Sequence, residues 1–303
     1  MLVYDLDRIP AAKQAFSLKS QRYGHINQSQ DQSLGEIMSS NITLAYPAEG
    51  VALVTVGNGG APGHTTTCAT VSFLADALDK AIAEGARVIV LASSVEGHWL
   101  EHAYLEDIRQ LVLGNAASGD PAGWFRSLTT LNRGSAVTIA AINGDTSGGG
   151  CELGWACDMR VAEEQARFAQ PEVIIGVGTG IGGTSRLVRL IGRTVTAEVV
   201  LTGLPLTAKR IYELGGINRL VANGTAVEEA LKLARHIASL PPQAVSGMKQ
   251  MLAEDEDLNQ TQGIENDQKI SQTLFANAHS MESMAKIQAR FDAGETMDEI
   301  YWS

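Results

Sequence analysis

The sequence predicts an α/β protein, and three observations carry that expectation. A strand, loop, helix, strand succession runs from Ile42 to Leu91. A buried-looking apolar run, Ala136 to Ile142, enters a tight polar turn and three consecutive glycines, followed by a helix-forming segment from Glu152 to Asp158. From Val227 onward the pattern is almost purely helical, broken by Pro241-Pro242. An α-only tail on such a core is expected to pack on that core or on a partner subunit. These patterns divide the chain into an N-terminal arm over 1–40, an α/β core over 41–240 and a helical region over 241–303.

Residues 1–40 are polar and rich in Gln and Ser, which suits an arm that packs on a neighbour or stays partly disordered. Ile42–Tyr46 and Val51–Val56 read as strands joined by a turn over Pro47–Gly50. A Gly/Pro-rich loop follows, Gly57–Gly63. Leu74, Leu78 and Ile82 share one face of a helix over Val71–Ala83, which Gly85 stops. Arg87–Leu91 is a buried strand. Glu96–Leu105 is a loop leading to a helix near Asp107–Leu113, and after a loop over Asn115–Gly123 comes a helix over Phe125–Asn132. Beyond the central strand, Gln170-Pro171-Glu172 opens a turn before Val173–Ile175. Helices are expected over Thr184–Ile191 and Thr194–Thr202, the second ended by Gly203, with a short strand at Leu220-Val221.

Composition narrows the function. The chain has 303 residues, 45% hydrophobic and 19% charged, enough for a real core. Its formal charge of −11 argues against broad nucleic-acid binding or a polybasic membrane contact, though not against a small anionic ligand held by a local basic patch. Cys68, Cys151 and Cys157 form neither CxxC spacing nor a Cys/His cluster, so no disulfide framework and no metal site are expected. The N-terminus carries Asp5, Asp7, Arg8 and Lys13 where a secretory signal would be apolar, and the apolar runs at 86–92 and 136–142 are too short to span a bilayer. A cytoplasmic protein is expected.

Two motifs bear on chemistry. In Gly148-Gly149-Gly150-Cys151-Glu152, glycine lets backbone N–H groups face outward, and a helix start leaves its first N–H groups unpaired and partly positive. The motif reads either as a tight connection or as a backbone anion site with Glu152 in the first helical turn, suited to a transient oxyanion. Gly178–Gly183 matches GxGxxG and precedes a helix. It reads as a nicotinamide-binding turn or, better, as a turn bordering a pocket, because no second strand follows and the acidic residue Glu198 lies within a helical segment. The six histidines form no metal-ligand array.

The stretch Ala141-Ile142-Asn143-Gly144, Gly148 to Leu153, Cys157-Asp158, Phe168, Gln170-Pro171-Glu172, Gly176, Gly182-Gly183-Thr184, Arg186-Leu187 and Leu201-Thr202-Gly203 resembles the crotonase superfamily, and within it the enoyl-CoA hydratases. The match is collinear over roughly 140–221, with weaker similarity on both sides. The resemblance implies a spiral of ββα turns with a helical trimerisation tail, usually a trimer or hexamer. It implies an acyl-CoA or related thioester as partner, with coenzyme A as part of the substrate and no further cofactor. It assigns Glu152 and Glu172 as the acid/base pair, and the N–H groups of Gly149 and Ala103 as the oxyanion hole. The implied reaction adds water to a 2-enoyl thioester. Alternatives are another reaction through the same enolate (isomerisation, decarboxylation, thioester or β-diketone hydrolysis), a nicotinamide oxidoreductase, or a non-catalytic scaffold.

The sequence also departs from the family. His102 stands in place of the glycine beside the Ala103 donor, and histidine accepts positive φ more readily than a β-branched residue does. Tyr104 replaces an acidic residue and Thr179 a proline. Gly57–His64 replaces the segment that normally helps hold the acyl-CoA. His64 and His102 are therefore candidate pocket residues.

Overall fold

The computed structural model describes residues 36–39, 41–57 and 64–301. The expected arm lies outside the described residues except for strand β1 (Glu36–Ser39), as does most of the Gly57–Gly63 loop. The chain continues through β2 (Ile42–Ala48), β3 (Val51–Val56), α1 (Cys68–Ala83), β4 (Val88–Ser93), β5 (Gly97–His98), α2 (Leu105–Val112) and α3 (Ala122–Arg133). Next come β6 (Val137–Ile142), β7 (Gly144–Ser147), α4 (Gly148–Ala156), β8 (Met159–Glu163), β9 (Arg167–Ala169) and a 3₁₀ turn, Pro171–Ile175. The remainder is α5 (Gly183–Ile191), α6 (Arg193–Thr202), β10 (Leu206–Thr207), α7 (Ala208–Glu213), β11 (Arg219–Val221), α8 (Ala226–Ser239), α9 (Pro242–Asp255), α10 (Gln260–Phe275), α11 (Ala278–Asp292) and α12 (Met297–Tyr301).

Two sheets result. The larger has the order β1-β2-β3-β4-β6-β8-β11, antiparallel at β1-β2-β3 and parallel beyond. Its central strands are buried on both faces, which is why β4 and β6 read as unbroken apolar runs. Ile89, Leu91, Ala140 and Ile142 face the cluster that includes α1, α3 and α4. Val88, Val90, Val137, Ile139 and Ala141 face α8. Helix α8 offers that face Ala226, Ala230, Ala234 and Ala238, one residue every turn, all buried. This small-residue stripe lets the helix lie close against the sheet.

The second sheet is small, in the order β10-β9-β7-β5, and it positions the candidate site. The sequence did not announce it, because its strands are two to four residues long. β5, β7 and β9 run parallel, with His98 beside Asp145 and Ser147 beside Ala169. Their C-terminal ends therefore emerge together. They release the segments 99–103, 148–152 and 170–172 side by side, and the carboxyl ends of parallel strands are where α/β folds gather ligand-binding groups.

Two local expectations are corrected. Helix α4 starts at Gly148, so the glycines form its first turn and Glu152 falls in the second. Val173–Ile175 belongs to the 3₁₀ turn, with all three side chains exposed.

Pro242 occupies the first turn of α9, where its missing N–H costs nothing. That helix is pinned to the core by a buried ion pair. Lys249 Nζ donates to Asp158 Oδ2 at 2.6 Å and to the Leu131 carbonyl at 3.0 Å. Asp158 Oδ2 also accepts from the Thr138 N–H and hydroxyl. Lys249→Met leaves Asp158 short of its charge partner in a site where water barely reaches. A loss of about 3–5 kcal/mol is expected from breaking such a pair, read as a lower urea midpoint.

Candidate active site

The site begins with Ala103. Thr66 and Ala103 form a parallel bridge: the Thr66 N–H donates to the His102 carbonyl at 2.9 Å, and the Tyr104 N–H donates to the Thr66 carbonyl at 2.9 Å. The residue between those bonds directs its own N–H to the opposite side. On that side is the start of α4. A Cβ placed on Gly149 would sit 3.6 Å from the Ala103 nitrogen.

The three glycines of α4 each answer a different crowding. Gly148 has φ +48, a conformation L side chains rarely adopt. A Cβ on Gly150 would fall 1.9 Å from the Leu100 carbonyl oxygen, so the helix can approach segment 99–103 only with no side chain there. Gly149 is the second residue of the helix, and its N–H has no carbonyl one turn back to reach. Ser147, at the N-cap, does not cap the helix with its side chain. Its hydroxyl instead donates to Glu101 Oε2 at 2.5 Å. The Gly149 and Ala103 N–H groups thus border one another across the gap between helix and segment.

The two glutamates converge from different elements. Glu152 is 3% exposed. Its Oε1 accepts from the Gly183 N–H at 2.7 Å and the Ile181 N–H at 3.1 Å. Burial raises its pKa, opposed by those two N–H groups and by the charge of Arg186. Glu172 lies in the 3₁₀ turn after β9, with Oε1 3.4 Å from where a Cβ on Gly148 would stand. Burial pushes its pKa up to about 6, with its own backbone N–H opposing and the charge of Glu152 adding to the rise. Gln170, 1% exposed, lays its side-chain amide against both Glu172 oxygens; with the NH₂ assigned to that side, as hydrogen bonding to a carboxylate requires, it donates at 2.9 and 3.2 Å.

This arrangement explains the GxGxxG match. Two of its N–H groups, those of Ile181 and Gly183, are spent on the Glu152 carboxylate. The loop follows a 3₁₀ turn instead of a strand, so the dinucleotide reading loses its structural context. Among the described residues no group of His, Cys, Asp and Glu is placed to hold a metal ion.

The histidines separate into different roles. His102 places its Cβ 2.9 Å from the same Gly148 position that Glu172 approaches, so it borders the site. It does not take positive φ. Among the described non-glycine residues that conformation occurs at His64 alone, at φ 57. His64 stacks on His98 with ring centroids 4.4 Å apart, and His98 Nδ1 lies 3.1 Å from Glu101 Oε1. His64 is therefore one layer behind Glu101.

Comparison with known proteins bears on the family and the fold. The sequence model described as enoyl-CoA hydratase/isomerase matches residues 48–292. The chain belongs to the enoyl-CoA hydratase/isomerase family. A probable enoyl-CoA hydratase of Rhizobium meliloti is 37% identical over 152 residues, 50% of this chain and 59% of that protein. A short-chain-enoyl-CoA hydratase of Clostridioides difficile is 43% identical over 116 residues, 38% of this chain and 74% of that protein. The matched stretches span from half to about two thirds of the length of the first curated relatives. Solved structures align more fully. An enoyl-CoA hydratase from Bacillus anthracis superposes with a TM-score of 0.73 at 26% identity, covering 83% of this chain and 97% of that one. The crotonase-type α/β fold is thus the one observed.

Within an enoyl-CoA hydratase/isomerase framework, sequence reasoning passed over Gln170, Ser147 and Glu101. Gln170 stood in the quoted Gln-Pro-Glu motif, but nothing in one sequence shows that its amide turns back onto Glu172. Ser147 carried a readable signal, a serine just before a helix start, though that signal predicts a cap.

The raised Glu172 pKa has a consequence for stability. The folded state holds this proton more tightly than the unfolded chain, whose value is near 4.5. The contribution is therefore fully present at low pH and is lost as pH rises through about 6. Glu172→Gln abolishes that loss. The variant is expected to be more stable than wild type above about pH 6, with the gain fading toward pH 4.5. Urea denaturation across that range checks it.

Proposed function

We propose that this protein adds water to a 2-enoyl thioester, with coenzyme A entering as part of the substrate. One observation supports the reading above others: two glutamates with raised pKa values stand beside the start of α4, where the Gly149 backbone borders Ala103. The thioester carbonyl accepts from Ala103 N–H and Gly149 N–H, which polarises the conjugated double bond. One glutamate takes a proton from water as the water oxygen bonds to C3. The electron pair moves to the carbonyl oxygen, giving an enolate held by the two donors, each worth about 2.7–4 kcal/mol in such sites. The other glutamate, carrying a proton, delivers it to C2. A carboxyl with a pKa near 6 is suited to exchange protons at neutral pH. Gln170 holds Glu172 in place for this exchange.

The non-catalytic reading is disfavoured by energetics. A scaffold has no use for two mutually repelling, half-desolvated carboxylates, which lower stability. The nicotinamide reading is disfavoured because Ile181 and Gly183 hold Glu152. A different enolate reaction at the same two donors is the second reading, favoured by one observation, the placement of His102 across Gly148 from Glu172.

We also infer a homotrimer or a hexamer, without a nucleic-acid or membrane partner. Ile174, Leu201 and Leu204 are 68%, 72% and 65% exposed beside the site, more apolar surface than a solitary chain would leave uncovered. No helix among the described residues is long and apolar enough to cross a membrane. Three free, buried cysteines suit a reducing cytoplasm.

The test is a thioester panel. Short, medium and aromatic 2-enoyl-CoAs are mixed with the protein and loss of conjugated thioester absorbance is followed. Glu152→Gln and Glu172→Gln keep the shape and remove the proton exchange, so hydration is expected to fall about 10²–10⁴-fold in each. Full hydration retained in both variants would end the two-glutamate mechanism.

A further inference from the structure

His102 is wired in a way the hydration mechanism does not use. Its backbone N–H donates to Ser147 Oγ at 3.3 Å, and its ring Nδ1 lies 3.4 Å from the same oxygen. Ser147 Oγ is 2.5 Å from Glu101 Oε2. A carboxylate only accepts, and a hydroxyl has one hydrogen, so that hydrogen goes to Glu101. The Ser147 oxygen is then left as an acceptor toward His102. In the neutral imidazole the ring then carries its proton on Nδ1, which leaves a lone pair on Nε2. His98 Nδ1, at 3.1 Å from Glu101 Oε1, holds the carboxylate from its other oxygen. The relay runs His98, Glu101, Ser147, His102, and it sets one tautomer of the last member.

Nε2 takes no hydrogen bond from the described residues. Its surroundings say what it can accept. The His102 Cβ and Glu172 Oε1 approach the same point on Gly148, so His102 borders the site on the Glu172 side. In the proposed hydration one glutamate takes a proton from the water and the other protonates C2, so neither proton transfer calls on His102. The His102 lone pair is left for the acyl group itself. Glu101, Glu152 and Glu172 make the surroundings negative. Of the nearby cations, Arg167 pairs with Asp145, and Arg186, whose charge acts on Glu152, is one positive group against these three carboxylates. A carboxylated acyl group is repelled there, and a neutral hydrogen-bond donor is welcomed.

We propose that His102, locked by Glu101 through Ser147, is a specificity residue that selects acyl thioesters bearing a hydroxyl close to the reacting double bond. This rests on the acyl-thioester reading of the site. The experiment is therefore one of binding and needs no turnover. Saturated thioesters are titrated calorimetrically: butanoyl-CoA, 4-hydroxybutanoyl-CoA and succinyl-CoA. Wild type is expected to bind the hydroxylated ligand roughly tenfold more tightly than butanoyl-CoA, the worth of one shielded hydrogen bond, and succinyl-CoA more weakly than either. His102→Phe fills the space without an acceptor and is expected to erase the preference. His102→Gln, which keeps an acceptor oxygen, restores part of it. Ser147→Ala frees the tautomer and reduces it. A merely structural His102 would shift all three ligands together. An unchanged preference in His102→Phe, or tightest binding of succinyl-CoA, overturns the proposal. If wild type binds none of the three, the acyl-thioester reading itself fails, and this one falls with it.

Discussion

The close approach of the α4 N-terminus to segment 99–103 is the constraint on which the site depends. It brings the Gly149 backbone within reach of Ala103, and it is possible only because Gly150 has no side chain to strike the Leu100 carbonyl. Thr146 holds the same carbonyl from its hydroxyl at 2.5 Å, so the contact is fixed from both directions. The small parallel sheet serves this contact. With β5, β7 and β9 in register, the donors, the Glu152 helix and the Glu172 turn all leave one edge. Arg160 steadies the far end of α4, its guanidinium donating to the Gly154 and Cys157 carbonyls. A nine-residue helix held at both ends by neighbouring backbone and side chains cannot drift relative to its donors.

The electrostatics run against stability. Burying two carboxylates within range of each other raises both pKa values, and the fold offsets this only in part. Backbone N–H groups from the glycine-rich loop compensate Glu152, and one amide compensates Glu172. The asymmetry is chemically useful. The better-solvated partner, Glu172, is the one left near the pH at which it can exchange a proton. N–H groups do most of this compensation, with the charge of Arg186 adding at Glu152, and among the described residues neither carboxylate is neutralised by a salt bridge.

The large sheet, its covering helices and the tail were legible because their periodicity extends over many residues. β6 is six unbroken apolar residues, and α8 repeats alanine every fourth position. The second sheet was not legible. Its strands are too short for a period of two to register, and their partners lie up to about fifty residues away in sequence. Residues with a fixed chemical identity in a fixed pattern, such as Gly148-Gly149-Gly150-Cys151-Glu152 and Gln170-Pro171-Glu172, carry the family resemblance and stand out in the sequence. Residues that matter through a three-dimensional hydrogen bond do not. The turn of Gln170 onto Glu172 depends on β9 ending beside β7, and the pairing of His98 with Glu101 depends on the bend that follows β5.

Ser147 shows how one hydroxyl ties these levels together. A serine before a helix ordinarily accepts from an N–H of the first turn, stabilising the helix by about 1 kcal/mol. Here it gives its hydrogen to Glu101 and offers its lone pairs to His102. Had it capped α4, its oxygen would compete for the N–H groups that the site needs facing outward. By turning away, it leaves the helix start without a side-chain cap and electropositive, as the proposed binding of a developing oxyanion requires. The same turn orders His102, next to Ala103. The cap that the sequence advertises is therefore withheld, and its absence is what makes the helix terminus available for chemistry.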